Sequence, residues 1–146
     1  MTGQRLYDLP VSSRADVELA IDHARGAQRA WARQPIEQRA RVVMRVHDLV
    51  LDRQVQLLDL MQLESGKTRL QAFEEIADVA LVARHYARAG ATDLAAKRVW
   101  GAYPVLTRAE TIRQPYGVVG IVSPWNYPFT LPIGDSLPAL LAGNAV

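Results

Sequence analysis

Gly117-Val118-Val119-Gly120-Ile121-Val122, running directly into Ser123-Pro124-Trp125-Asn126-Tyr127-Pro128, is the stretch on which the fold turns. A continuous apolar run from Val118 to Val122 reads as a strand buried on both faces of a parallel sheet. The turn that follows is stiff, because each proline fixes its own φ and restricts the residue before it. In open α/β sheets such strand ends are where ligand-facing groups are placed. Beyond Pro128 the chain reads as a helix with Leu131, Leu137, Leu140 and Leu141 inward. Pro132 falls in its first turn and Pro138 should kink it. Gly143-Asn144 ends that helix, and Ala145-Val146 reads as the first step of a further strand. The unit is α/β, a strand, a turn and a helix, with the sheet incomplete.

Working back toward the start, the chain reads as helices. Ser12-Ser13-Arg14-Ala15-Asp16 has the form of an N-cap followed by an acidic first turn. Val17, Ala20, Ile21, Ala24, Ala27 and Trp31 follow at helical spacing and predict one buried stripe. Pro35 separates this helix from the next, in which Ile36, Ala40, Val43, His47 and Val50 recur at three and four. Glu37 precedes Arg41 by four residues, the favourable order for a helical ion pair. Asp52 is placed to cap a third helix carrying Val55, Leu58 and Met61, which Gly66 closes. A fourth helix is predicted from about Thr68 to Ala89, with Phe73, Ile76, Ala77, Ala80 and Ala83 on one face. From Val99 to Ile112 the helical period vanishes, and aromatic and β-branched residues around Gly101 and Pro104 predict a short extended pair. Gln114-Pro115-Tyr116-Gly117 is a turn signal. Three parts result: a helical part over 1–97, an extended segment over 98–115, and the strand–turn–helix over 116–146.

Composition narrows the function classes. The 146 residues are 49% hydrophobic and 22% charged, with a net charge of +2. That is an ordinary globular balance with room for a core. The arginines are spread along helical segments, so nucleic acid is not an expected partner. There is no cysteine, hence no disulfide, no thiolate metal site and no thiol nucleophile within these residues. No apolar stretch has the length of a bilayer span, and the start lacks the pattern of a secretory leader. A soluble cytoplasmic protein is expected.

Several motifs dissolve on inspection. Ser65-Gly66-Lys67-Thr68 resembles the end of a phosphate-binding loop, but Met61 stands where that loop requires a glycine. Gly117 and Gly120 lack the spacing of a dinucleotide fingerprint and read as strand-entry glycines. His23, His47 and His85 have no second ligand at helical spacing, and no metal site is expected. Glu74-Glu75 reads as a solvated pair or a partner for nearby arginines, and Arg84 and Arg88 as surface. The Pro124-Trp125-Asn126-Tyr127-Pro128 turn supports two readings. Asn126 is an ordinary turn former ahead of a helix, or it is a rigid neutral amide that donates to a developing oxyanion.

Taken with Pro138-Ala139-Leu140-Leu141-Ala142-Gly143-Asn144-Ala145-Val146, the quoted stretch resembles the aldehyde dehydrogenase superfamily. Glu64-Ser65-Gly66-Lys67, Glu74-Glu75-Ile76 and the opening Asp16-Val17 helix with Trp31 match the same family in the right order. The resemblance runs from about Leu9 to Val146. The Ser-Pro-Trp-Asn-Tyr-Pro turn and Asp135-Ser136-Leu137-Pro138-Ala139-Leu140 look most like succinate-semialdehyde dehydrogenases.

The resemblance implies an NAD- or NADP-dependent oxidation of an aldehyde to an acid. In the family a cysteine thiolate attacks the aldehyde, the nicotinamide accepts hydride, and a glutamate-activated water releases the acid. It implies that Asn126 is the catalytic side-chain donor to the oxyanion, and that Val122, Ser123, Pro124, Trp125 and Asn126 line the cofactor. It also implies a homo-oligomer, with contacts near Val99 to Ile112, and a small aldehyde as the partner. The family's lysine after Asn-Ala-Val, its cofactor glycine turn, its glutamate base and its cysteine are not among these residues. The expectation is an amino-terminal piece of such an enzyme, inactive alone. The alternative is a non-enzymatic helical interaction module that keeps the same fold.

Overall fold

The structure, a computed structural model, describes residues 5–103 and 106–146. Pro104 and Val105, inside the expected extended pair, and residues 1–4 lie outside that range. Helix α1 spans Arg14–Ala32, α2 Ile36–Asp52, α3 Gln54–Ser65 and α4 Arg69–Leu94; strands β1 (Lys97–Val99) and β2 (Ala109–Thr111) follow, then α5 (Thr130–Leu141). No helix among the described residues is long and apolar enough to cross a membrane.

Local chemistry sets most of the boundaries. Ser13 caps α1 through a full capping box with Asp16, which satisfies otherwise orphaned amides at the helix start. Thr68 and Gln71 do the same for α4. Gly66 ends α3 in the left-handed region at φ 70°, where a Cβ would be strained. Two boundaries differ from the sequence reading. Asp52 does not cap α3; it is the last residue of α2, and Arg53 alone separates the two helices without a side-chain cap. Helix α4 runs on to Leu94, past Ala89, because nothing breaks it until Ala95 turns extended.

Helix α4 is the central element and packs against α2, α3 and α5. One core cluster joins Val50, Leu58, Met61, Ala72, Ile76 and Val79. A second joins Val43, Ala83, Leu137 and Leu141. Each large aliphatic side chain buried there contributes about 1.5–3 kcal/mol. Phe73 and Leu131, expected inside, are partly exposed instead, since both sit on the flanks of their helices. The Glu37–Arg41 pair is not among the ion pairs of the described residues; those on helices include Arg14–Glu18 and Arg25–Asp22.

Helix α1 departs furthest from expectation. Its period is helical, but none of its residues is buried, and Val17 is 51% exposed. Only its C-terminal end docks. Trp31 Nε1 donates to Leu140 O at 2.7 Å and Gln28 Nε2 to Gly143 O at 2.8 Å. The rest of the apolar face has no cover among the described residues.

The extended pair forms as an antiparallel hairpin in the register Lys97↔Thr111, Arg98↔Glu110 and Val99↔Ala109. The Val118–Val122 run does not form a strand buried on both faces. It makes a single parallel bridge, Val118↔Ala145, with Val119 N donating to Ala145 O at 2.9 Å and Ala145 N to Gly117 O at 2.8 Å. The expected strand–helix–strand connection through α5 is therefore present in outline, and no further strand of the described residues flanks it.

Candidate functional site

The Ser123–Pro128 turn leaves the parallel bridge and enters α5. Two anchors fix it. Behind it, Asn144 Oδ1 accepts from Gly117 N at 2.9 Å while Asn144 Nδ2 donates to Ala139 O at 2.9 Å. Gly143 at φ 98° makes the helix end possible. Its N–H reaches Leu140 O, and the N–H of Asn144 reaches Ala139 O, the paired bonds of a Schellman motif. Ahead of it, the carboxylate of Glu75 accepts from Phe129 N at 2.9 Å and Thr130 N at 3.0 Å. Glu75 also pairs with the ammonium of Lys67, which lies 4.1 Å from the centre of the Tyr127 ring. Thr130 Oγ1 donates to Asp78.

Glu75 is thus not a solvated residue. It is 1% exposed, and an isolated buried carboxylate would be costly. Three donors and the positive end of α5 compensate it. Sequence reasoning missed it because the two amides it accepts from lie more than fifty positions away. One signal was available: Glu75 falls three residues after Ala72 and four before Val79, inside the buried stripe of α4. Glu74 beside it is exposed, as are Arg84 and Arg88.

The far end of α5 is held as firmly. Arg39 Nε donates to Leu141 O at 2.9 Å, and Arg39 Nη1 to Ala32 O at 3.0 Å and Gln34 O at 2.8 Å. Acidic groups at the start of α5 and a guanidinium at its end both oppose the helix dipole in the stabilising sense. The helix runs through Pro138.

The predicted site residues lie together on the open side of this frame. Val122 is 100% exposed and Trp125 82%; Pro124 and Asn126 are exposed and Ser123 is half-buried. An open cleft of about 410 Å³ adjoins the turn, lined by Glu74, Glu75, Asp78, Tyr127, Thr130 and Leu131. A helix start after a parallel strand is a common phosphate cradle. Here Glu75 already occupies the first amides of α5, so a phosphate at that end would meet a buried carboxylate. What the turn offers is neutral: the Asn126 amide, the Ser123 hydroxyl, and the apolar faces of Val122, Pro124 and Trp125. These suit the face of a flat ring and an oxygen that gains negative charge.

A parallel strand–helix–strand unit with a proline-fixed turn at its strand end is an α/β arrangement, in which ligands commonly bind at the strand ends. The model for the Aldehyde dehydrogenase family matches residues 1–146, and the chain belongs to that family. It is 49% identical over 145 residues to a Mycolicibacterium smegmatis protein named "Putative succinate-semialdehyde dehydrogenase [NADP(+)]", covering 99% of this chain and 28% of the relative. Among solved structures, an E. coli NADP dependent enzyme matches with a TM-score of 0.90 at 30% identity, over 98% of this chain and 29% of the other. An NAD-dependent benzaldehyde dehydrogenase from Corynebacterium glutamicum matches with a TM-score of 0.79 at 31% identity, over 89% of this chain and 28% of the other. The chain therefore spans less than a third of the length of these proteins and corresponds to the amino-terminal part of the aldehyde dehydrogenase fold.

Proposed function

We propose that these residues form the cofactor-facing turn and oxyanion donor of an NAD(P)-dependent oxidation of succinate semialdehyde to the acid. The observation that carries this reading is the Asn126 turn, open to solvent, with Asn144 holding Gly117 at the start of the run that leads into it and Glu75 holding Phe129 and Thr130 just beyond it. A donor helps most when it is already in place as charge develops, because no reorganisation is then needed. A neutral amide also avoids binding the uncharged aldehyde too tightly before reaction. Asn126 Nδ2 donates to the aldehyde oxygen as it becomes an oxyanion. Val122, Pro124 and Trp125 form an apolar wall for the nicotinamide-ribose side of the cofactor, and Ser123 adds a hydroxyl for the ribose. NAD(P)+, when bound, supplies the two-electron acceptor.

The 146 residues contain no cysteine, so they provide the donor and the wall without a thiol nucleophile. Alone they should give no aldehyde-dependent NAD(P)H. The test is to exchange this chain for the matching 145-residue segment of the Mycolicibacterium smegmatis relative and assay succinate semialdehyde with NADP+ and NAD+. Asn126→Ala in the exchanged protein should lower kcat by roughly a hundred- to a thousandfold with the cofactor KM little changed. An active exchanged protein indifferent to Asn126→Ala would remove Asn126 from the chemistry.

A further inference from the structure

We infer that Lys67 and Glu75 are positioning residues that clamp the Asn126 turn to α4, an inference that rests on the role proposed for Asn126. The two residues come from different places. Lys67 follows the left-handed Gly66 in the α3–α4 connection, and Glu75 lies on the buried face of α4. They meet under the turn. Glu75 Oε1 takes the Lys67 ammonium, and Glu75 Oε2 takes the amides of Phe129 and Thr130. Lys67 in turn sits under the ring of Tyr127, next in sequence to Asn126, at 4.1 Å.

The arrangement has the logic of a support. Asn126 can hold one direction only if the residues on both sides of it are held. Pro124 restricts the side toward the strand. On the helix side, Tyr127 rests on the Lys67 cation and Phe129 hangs from the Glu75 carboxylate. The ammonium and the carboxylate are 14% and 0% exposed in their side chains, so water does little to screen their attraction to each other or the cation's attraction to the ring. Removing Glu75 leaves the buried Lys67 ammonium without its carboxylate, and removing Lys67 leaves the Glu75 carboxylate with its two amide donors but no counter-charge. The expected result is a turn that moves while the helices beneath it stay packed.

The experiment is ¹⁵N relaxation on the full 146-residue chain and on Glu75→Gln, Lys67→Met and Lys67→Arg. In the unchanged chain the amides of Trp125, Asn126 and Tyr127 should have order parameters near those of a rigid backbone, about 0.85. Lys67→Met should bring them below about 0.6, the flexible range, while the core amides of Val50 and Val79 keep theirs. Lys67→Arg should restore the turn, since a guanidinium also pairs with a carboxylate and stacks on an aromatic ring. Glu75→Gln should loosen the turn and the first amides of α5 together.

A turn equally rigid in both Glu75→Gln and Lys67→Met would overturn the inference, as would a turn already flexible in the unchanged chain. Should Glu75→Gln not fold, Lys67→Met decides, because it leaves both Glu75 amide bonds in place. Collapse of the whole fold in both variants would make the pair a general stability element and also overturn it. These readouts do not depend on activity. A clamped turn combined with an indifferent Asn126→Ala would keep the clamp and discard the oxyanion role.

Discussion

The side-chain amide of Asn144 spans the two halves of the strand–helix–strand unit, accepting from Gly117 N and donating to Ala139 O, both at 2.9 Å. Asn144 is buried at 4% exposure, so both bonds form away from water. Asn144→Asp keeps the acceptor but replaces the Nδ2 donor with a second oxygen facing the Ala139 carbonyl. An unmet buried polar group costs about 1–3 kcal/mol, and more if charged. Urea unfolding should place Asn144→Asp at least that far below the unchanged chain. Asn144→Ala should fall nearer the low end, because it removes the amide without adding a charge. Equal midpoints for all three would mean that the amide does not tie the strand to the helix.

Arg39 gathers carbonyls from two helix ends: Ala32, the last residue of α1, and Gln34 just beyond it, and Leu141 at the end of α5. A guanidinium serves three acceptors with one rigid fork, which an ammonium cannot match. Arg39→Ala should cost on the order of 2 kcal/mol, the scale of hydrogen bonds to a charged group near a helix C-terminus. Arg39→Lys should recover part of it. The loss should appear first as faster amide exchange at the end of α1, whose docking otherwise rests on Trp31 and Gln28.

The start of α1 carries a pH dependence. Asp16 accepts from Ser13 N at 2.7 Å and from Ser13 Oγ at 2.8 Å. The Ser13 backbone bond first, then its hydroxyl, hold the Asp16 carboxyl below its ordinary value. A carboxyl with a lowered folded-state pKa contributes stability that is fully present above its unfolded value. That contribution is lost as pH falls through the lower, folded value. Acidification should therefore fray the first turn of α1, seen in the amides of Asp16 and Val17, below the usual carboxylate range. Ser13→Ala should raise the Asp16 titration toward its ordinary value. An Asp16 midpoint identical in both proteins would contradict the capping box.

What could be read from the chain, and what could not, follows the range of the interaction concerned. Gly66, Gly143 and the Ser13 and Thr68 caps act within a few residues of themselves, and each boundary they set was legible. That Ala145-Val146 starts a further extended run was legible too, while its parallel pairing with Val118 was not, since an apolar run carries no label for its neighbour. Helix α1 was legible as a helix but not as an uncovered one, since period reports a face and not its partner. Glu75 was misjudged for the same reason. Its charge suggested solvent, and the amides of Phe129 and Thr130, brought there by the packing of α4 on α5, together with Lys67 account for its burial. The candidate turn was legible by residue type, while the frame that holds it was not.

Two glycines in helices should respond in opposite senses to the same substitution. Alanine is favoured over glycine by about 1 kcal/mol in a helix interior. At Gly26 in α1 an added Cβ meets nothing within 4 Å, so Gly26→Ala should stabilise the chain by about 0.5–1 kcal/mol. At Gly90 in α4, which is buried, the new Cβ would lie well inside contact distance of Leu141 Cδ2. Overpacking a core costs about 1–3 kcal/mol, enough to exceed the propensity gain. Leu141 is 1% exposed and closes the core cluster with Val43, Ala83 and Leu137, so it has little room to withdraw. Gly90→Ala should therefore lower the unfolding midpoint, and Gly90→Ala combined with Leu141→Val should recover part of the loss by vacating the clash. A Gly90→Ala chain as stable as Gly26→Ala would mean that α5 does not sit against α4 as closely as the structure places it.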